Sequence, residues 1–224
     1  MIKDQSRKIE NEERLDEMNS ELISYVENSI IPQYSAFDSA HQESHVRAVI
    51  EESLRLAQFY DVDKDMVYAI AAYHDLGLCE GRERHHIVSG EMLKQDVKLK
   101  QWFDESQLQT MSDAVEDHRA SNKYEPRTIY GKIVAEADRQ IDSEVTLRRT
   151  IQYGLKNYPD LDKEGQYARA IDHIGKKYAE GGYLKLYIPE SANAERLAKF
   201  RELVLSPELF REAFDRLYAE EMNK

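Results

Sequence analysis

Hydrophobic positions recur every three to four residues along most of the chain, which is the spacing of one buried face of an α-helix. A first helix is predicted over residues 12–29, with a face formed by Leu15, Met18, Leu22, Ile23 and Val26. A second begins after Asp38 and runs toward Tyr60, and a third begins at Asp63 and ends near Gly77, since aspartate is a favoured helix cap. The same period predicts further helices over residues 87–95, 107–118, 129–142, 145–157, 166–179, 194–203 and 207–222.

The chain has few residues that interrupt helices. It contains 9 glycines and 5 prolines among 224 residues, whereas a β-rich chain needs turn residues at short intervals. Only the segment 181–189, Gly-Gly-Tyr-Leu-Lys-Leu-Tyr-Ile-Pro, is typical of a short hairpin or an extended loop. The sequence therefore predicts an all-α fold.

Composition and charge narrow the classes of partner. Hydrophobic residues make up 41% of the chain and charged residues 33%, which is typical of a globular protein with a sizeable core. The formal net charge of -12 disfavours a nucleic-acid polymer as a partner. The first residues lack the apolar core of a signal peptide and no later run is long enough to span a bilayer, so we expect a cytoplasmic protein without a membrane partner. The sequence leaves open whether the chain forms a homo-oligomer.

Cys79 is the single cysteine of the chain, so neither an intrachain disulfide nor a thiolate metal cluster can form. Its position shortly after His74 and Asp75 suggests a catalytic thiol. The simpler expectation is a small buried hydrophobic side chain.

Histidines are concentrated in one half of the sequence. Six of the seven fall between residues 41 and 118, on predicted helix faces or at predicted helix ends. His74 and Asp75 close the third helix, His118 ends another, and Asp138 lies in the helix that follows. Helices that deliver imidazole and carboxylate groups to one point build metal sites in helical proteins. The pattern therefore predicts a metal site.

Three short stretches carry these residues in a fixed order: His45-Val46-Arg47-Ala48-Val49, Ala71-Ala72-Tyr73-His74-Asp75-Leu76-Gly77 and Ala135-Glu136-Ala137-Asp138. They resemble the HD-domain superfamily of metal-dependent phosphohydrolases, in which a histidine, a His-Asp pair and a distant aspartate follow one another. The resemblance implies an HD-type helical bundle with a metal-binding core over residues 30–142. Residues 1–29 would form an N-terminal helix, and residues 143–224 a C-terminal helical extension packed on the core within one compact domain.

The resemblance also implies a ligand set. One divalent metal ion would be coordinated by His45, His74, Asp75 and Asp138, and a second site is available to His86 and His118. Imidazole and carboxylate ligands suit Mn, Fe, Co, Ni or Zn. A bound ion lowers the pKa of its water, and Asp75 could orient or deprotonate that water for attack on phosphorus.

Further residues are candidates for catalysis and for substrate binding. Beside Asp75, the catalytic candidates His86 and His118 would offset negative charge on the phosphoryl oxygens. Arg84, Arg119 and Lys185 are candidate phosphate contacts. Lys185 lies in a segment, 176–185, that could close over a phosphorylated ligand or form a plain surface loop. We expect structural roles for His41, His85 and His173.

The function that this resemblance implies is hydrolysis of a small phosphate ester, with a nucleotide as the leading substrate class. The Glu-Asp pair that follows His-Asp in the alarmone hydrolases is replaced here by Gly77-Leu78-Cys79-Glu80, so that activity is not favoured. Two alternatives remain open. One is a di-iron oxygenase of the same fold, with His45, His74, Asp75, His86, His118 and Asp138 as ligands. The other is a non-catalytic nucleotide sensor.

Overall fold

The structure, a computed structural model, describes residues 18–37 and 42–223. These residues form α-helices joined by short 3-10 turns, loops and one π turn, and no strand occurs among them. The predicted all-α fold is confirmed. The chain divides into two compact units, Met1–Asp138 and Arg139–Lys224. None of the described helices is long and apolar enough to cross a membrane.

The described residues of the first unit form six α-helices. In chain order they are α1 (Ser20–Tyr25), α2 (Glu43–Ala57), α3 (Lys64–Tyr73), α4 (His85–Gln95), α5 (Glu105–Asp117) and α6 (Ile129–Asp138). A π turn, Val26–Ile30, and a 3-10 turn, Ile31–Ala36, continue the chain beyond α1. Two more 3-10 turns follow α3 and α4, at Leu76–Glu80 and Leu99–Gln101.

Helix α3 is the centre of the first unit. All residues from Met66 to Tyr73 are buried, and the helix packs against α2, α4, α5 and α6. A helix that is apolar on every side is stable only inside a bundle of this kind. Its predicted cap is confirmed, because the Asp63 carboxylate accepts hydrogen bonds from the backbone N–H groups of Asp65 and Met66.

Several predicted helix ends differ from the observed ones. Helix α3 ends at Tyr73 rather than near Gly77, and the 3-10 turn that follows changes the direction of the chain. Helix α6 ends at Asp138 rather than at residue 142, because Asp142 instead accepts a hydrogen bond from Val145 N–H and caps the next helix. The predicted cap Asp38, His41 and residues 12–17 of the first predicted helix lie outside the described residues.

Two glycines allow close packing around α4. An added Cβ at Gly77 would lie 2.7 Å from the backbone nitrogen of Ser89 and 2.8 Å from Val88 Cβ. An added Cβ at Gly90 would lie 2.9 Å from the backbone oxygen of Ser112 on α5. Both distances are too short for a side chain, so only glycine lets α4 approach these neighbours. Helix α4 is thereby held close to the end of α3 and to α5.

The second unit is a bundle of four helices, α7 (Ser143–Asn157), α8 (Lys163–Tyr178), α9 (Asn193–Leu205) and α10 (Pro207–Met222). Side chains of Asp142, Asp162 and Ser206 cap three of them. Buried aromatic rings, including Phe200, Phe210 and Phe214, fill its core. Segment 181–189 is an extended loop whose Leu184 and Ile188 side chains are buried.

Candidate metal centre

Five segments of the first unit converge on one cluster of histidines and aspartates. His45 is the third residue of α2, His85 is the first residue of α4, and His118 follows the last residue of α5. His74 and Asp75 follow α3, and Asp138 is the last residue of α6. Most of the cluster therefore lies at helix termini, where the chain changes direction and side chains from different helices meet.

The first ligand group consists of His45, His74 and Asp138. His45 Nε2 lies 3.2 Å from Asp138 Oδ1 and 3.3 Å from His74 Nε2. His74 Nε2 lies 3.8 Å from the same carboxylate oxygen. His45 and His74 are buried, whereas the Asp138 side chain retains 25% exposure. The three donor atoms are thus directed at a common point that solvent can reach beside Asp138.

The second ligand group consists of Asp75, His85 and His118. His85 Nε2 lies 3.4 Å from Asp75 Oδ1, and His118 Nε2 lies 3.5 Å from that same oxygen. The two ring nitrogens are 3.2 Å apart. This group differs from the second site implied by the sequence, because it contains His85 in the place of His86.

Asp75 stands between the two groups. Its Oδ1 faces the second group, while its Oδ2 lies 3.3 Å from His74 Nε2 and 3.7 Å from His45 Nε2 in the first. The residue is buried, with 5% of its surface exposed. One carboxylate therefore offers an oxygen to each group, which is the arrangement of a residue that can bridge two ions.

The hydrogen bonds of the histidine rings fix which nitrogen faces the cluster. Nδ1 donates to a backbone carbonyl in His74, at 2.8 Å from Ala71 O, and in His118, at 2.6 Å from Val115 O. His85 Nδ1 donates to Arg82 O at 2.8 Å. In a neutral ring the opposite nitrogen, Nε2, then carries a lone pair directed into the cluster. The same second hydrogen bond orients histidine ligands in metalloproteins.

This donor set fits a divalent cation. The lone pairs of His85 and His118 face each other at 3.2 Å and repel unless a positive charge lies between them and Asp75. Ligand bonds of about 2.1 Å place two donors of one ion about 3.0 to 3.4 Å apart, for octahedral or tetrahedral angles. The separations of 3.2 to 3.8 Å in the first group are close to that range. Imidazole with carboxylate suits Mn, Fe, Co, Ni or Zn.

The charges of the cluster shift the pKa values of His74 and Asp75. Burial by itself lowers the pKa of His74, but the carboxylates of Asp75 and Asp138 outweigh it and raise this pKa to about 9. Burial raises the pKa of Asp75, yet His74 and His118 hold it well below its usual range. Without a metal, a proton on His74 partly offsets the negative charge of the two aspartates.

Tyr34 is a contributor that the sequence analysis missed. Its buried hydroxyl donates to Ala72 O at 2.8 Å and accepts from the backbone N–H of Asp75 at 3.3 Å. It thereby satisfies backbone groups at the point where α3 ends and the chain turns. No motif marks Tyr34, because its role depends on a contact across 41 residues of sequence.

His86 and Arg119 form a pair beside the second group. The guanidinium of Arg119 lies 3.3 Å from His86 Nδ1 and also donates to the backbone carbonyl of Glu83. Burial, together with the charge of Arg119, lowers the pKa of His86 to about 4, so its ring is neutral at neutral pH. His86 belongs to neither ligand group of the described residues, but it lies next to the second one.

The remaining predicted residues belong to neither ligand group. Arg84 is exposed at the N-cap of α4, and Lys185 is exposed in the loop between α8 and α9 of the second unit. Cys79 is exposed, so the expectation of a buried side chain was wrong. Cys79 lies in the 3-10 turn that follows Asp75, beyond the end of the buried helix α3.

His85 shows what sequence reasoning could not decide. Two adjacent histidines, His85 and His86, open α4, and successive helical side chains point about 100° apart, so one of them at most can face the cluster. Periodicity alone does not identify which one. The signal that could have found His85 is its neighbour Gly77, whose close packing brings the start of α4 to Asp75.

Comparison with known proteins agrees with this geometry. Residues 43–140 match the family model described as HD domain, a range that includes every residue of both ligand groups. No curated protein and no solved structure matches the chain significantly. HD-domain proteins bind divalent metal ions, and most, though not all, of the characterised ones are metal-dependent hydrolases. Because the matched range and the convergent His and Asp side chains coincide, residues 43–140 of this chain form an HD domain.

Proposed function

We propose that this protein is a metal-dependent phosphohydrolase that cleaves a small phosphate ester, with nucleotides as the first class to test. One observation carries the proposal: two groups of metal-competent donors share a single buried carboxylate, Asp75. Divalent ions bound there would supply Lewis acidity toward a phosphoryl oxygen and an activated water. The residues of the chain then have to bind, orient and neutralise the substrate.

Asp75 is the residue with the most roles in this proposal. Its two oxygens face different groups, so its orientation sets the separation between them. That orientation is held at the backbone by the Tyr34 hydroxyl, 3.3 Å from Asp75 N. A carboxylate with a depressed pKa stays ionised at neutral pH, so it remains available as a ligand and as a hydrogen-bond acceptor that orients a water molecule.

Arg119 and His86 are suited to the substrate's phosphoryl group. A guanidinium is a permanent cation that can donate two parallel hydrogen bonds to phosphate oxygens. Arg119 is pre-positioned by Glu83 O, by Ser121 Oγ at 3.0 Å and by His86. The ring of His86 is neutral at neutral pH, so it can form a hydrogen bond with the phosphoryl group but adds no charge. Arg84 stays a candidate for an outer contact with the substrate, and a phosphate contact by Lys185, which belongs to the second unit, stays a prediction of the sequence.

The test is phosphate release from nucleotides and simple phosphate esters by protein of known metal content, with Asp75→Ala in parallel. We expect turnover that depends on added Mn, Fe, Co, Ni or Zn, and loss of both metal and turnover in Asp75→Ala. Its far-ultraviolet circular dichroism should stay that of a helical protein. Asp96→Ala is a matched control, since Asp96 is an aspartate of the same unit that bonds Tyr25 and Tyr73 instead of the cluster. Metal binding without phosphate release from any ester would refute the proposed activity.

A second candidate is the di-iron oxygenase, and the second ligand group favours it. Paired groups around Asp75 provide six side chains, His45, His74, Asp75, His85, His118 and Asp138, which are enough for two ions. The two candidates differ in what they consume. Oxygen uptake by iron-loaded protein with no phosphate release would identify the oxygenase, whereas phosphate release under nitrogen would identify the hydrolase.

A further inference from the structure

A pocket of about 440 Å³ lies in the first unit, next to the turn that follows Asp75. The described residues that line it are Ala36, Phe37, Leu78, Cys79 and Arg82. Its volume lies in the range of small-molecule sites, about 300–1,000 Å³. Three apolar residues, one cysteine and one arginine line it together. This lining suits an organic group that has an apolar face and a polar or anionic edge.

One wall of the pocket is joined to the metal centre through Tyr34. The backbone N–H of Phe37 donates to Tyr34 O at 3.1 Å, and the two rings pack edge to face with centroids 5.4 Å apart. The hydroxyl of the same tyrosine accepts from Asp75 N. The position of Phe37 is therefore fixed relative to the carboxylate that both ligand groups share.

A second group of lining residues, Leu78, Cys79 and Arg82, is joined to the metal centre through the turn after α3. Leu78 N–H donates to Asp75 O at 3.0 Å, and Gly81 N–H donates to Leu78 O at 3.0 Å. Gly81 has a φ of 99°, a left-handed value that glycine adopts without strain, and it returns the chain toward Arg82. Arg82 O then accepts from His85 Nδ1 at 2.8 Å. This segment is thus bonded at its start to Asp75 and at its end to His85, which are both candidate metal ligands.

We propose that this pocket is the specificity pocket of the enzyme and holds the organic group of the substrate while the phosphoryl group occupies the metal centre. The inference rests on the proposed hydrolase function. Phe37 and Leu78 pack on the apolar face of that group, and Arg82 contacts its polar edge. The substrate is then a phosphate ester with a ring-sized organic group, and esters of the smallest alcohols are turned over poorly.

Cys79 supplies a native probe of this pocket. It is the only cysteine of the chain, it is exposed, and it lines the pocket, so an uncharged reagent such as N-ethylmaleimide reports on occupancy without any mutation. Phenyl phosphate at about ten times its dissociation constant should slow modification by about tenfold in metal-loaded protein. Inorganic phosphate, which lacks the organic group, should leave the rate nearly unchanged.

A matched pair of variants tests the same pocket through kinetics. Phe37→Ala should raise KM for phenyl phosphate by about tenfold, as expected from burial of an aromatic ring, and should change KM for methyl phosphate much less. Phe59→Ala removes a phenylalanine that is 55% exposed elsewhere in the unit and should change neither value. Equal effects of Phe37→Ala on both esters would contradict the assignment.

The outcomes separate failure of the pocket from failure of the proposed function. Protection of Cys79 by phenyl phosphate, with no phosphate release from it or from any nucleotide or other ester tested, would keep the pocket and overturn the hydrolase. Turnover of phenyl phosphate with no protection, at any concentration up to its solubility limit, would overturn the pocket and keep the hydrolase. Equal protection by inorganic phosphate would overturn the pocket as a site for the organic group. Absence of both protection and turnover would overturn both.

Discussion

The two ligand groups of the metal centre are built in different ways. His45, His74 and Asp138 lie within the three stretches that the HD-domain resemblance rests on, and each is placed by its own helix. In the second group, His85 and His118 come from helices whose approach depends on glycines at the contacts, Gly77 and Gly90. The residues of the first group are therefore all named by the motif, whereas the second group also depends on the distance between α4 and its neighbours.

This difference has a physical consequence. A group that depends on close helix packing can be lost through a substitution that touches none of its ligands, because interiors are dense and added atoms displace backbone. Variants that move α4 should therefore separate the two groups.

The largest effect is expected from Gly77→Ala. The added methyl group would meet Ser89 N and Val88 Cβ at 2.7 and 2.8 Å, so α4 has to move and His85 moves with it. We expect the second group to lose its metal while the first retains it. The free energy of unfolding should fall by about 1–3 kcal/mol, the usual cost of overpacking. Metal quantification and denaturant titration measure both effects.

Gly175→Ala is the matched control for this substitution. Gly175 lies inside α8, and an added Cβ there has no atom within 4 Å. Its replacement should leave metal content unchanged and stabilise the protein by about 0.5–1 kcal/mol, because alanine favours the helix. Retention of metal in both groups of Gly77→Ala would show that the second group does not depend on this contact.

A smaller and more selective effect is expected from the adjacent histidines. His85→Ala removes a donor that faces Asp75 Oδ1 at 3.4 Å, so the metal affinity of the second group should fall. The fall should exceed about 100-fold, since loss of an outer partner alone costs 10- to 100-fold. His86→Ala should keep both metals and raise KM for the substrate. Competition with a chromophoric chelator measures the metal affinities. A larger loss of affinity in His86→Ala than in His85→Ala would show that His86 is the ligand.

The smallest effect is a difference in pH dependence between the groups. In the metal-free protein His74 is protonated below its pKa of about 9, and a metal ion must displace that proton. Affinity of the first group should therefore fall by about tenfold for each pH unit below 9. His85, whose pKa burial and His118 lower to about 4, is already neutral and releases none. Calorimetry in buffers of different ionisation enthalpy counts the protons, and no buffer dependence would contradict the assignment to His74.

Much of the fold follows from the sequence, because helix periodicity and caps are local signals. Asp63 caps α3 as predicted, and α10 has its predicted bounds, Pro207–Met222. The end of α3 was placed too late, since the chain Ala71 to Gly77 has no residue that stops a helix before glycine. The early stop is instead stabilised from outside, by the Tyr34 hydroxyl bonded to Ala72 O. Such a contact between distant residues leaves no local signal.

The residues of the site also differ in whether a local signal in the sequence predicts them. His45, His74, Asp75 and Asp138 could be named from the order of the motif, and the structure brings them together. The choice between His85 and His86 could not be made, because it depends on how α4 is rotated against the turn after Asp75. Arg119 was named from its position beside His118, but its contact with His86 became visible only in three dimensions.

Tyr34 also affects whether the metal centre can be transferred to a shorter fragment or to another scaffold. The HD-domain match begins at residue 43, whereas Tyr34 holds the backbone of Asp75 from outside the matched range. Asn19 makes a second such contact, because its N–H donates to Asp65 in the first turn of α3 at 3.0 Å. A fragment trimmed to residues 43–140, or a graft of those residues onto another scaffold, would leave the N–H of Asp75 without this acceptor. Any minimal version of the centre has to begin upstream of Asn19.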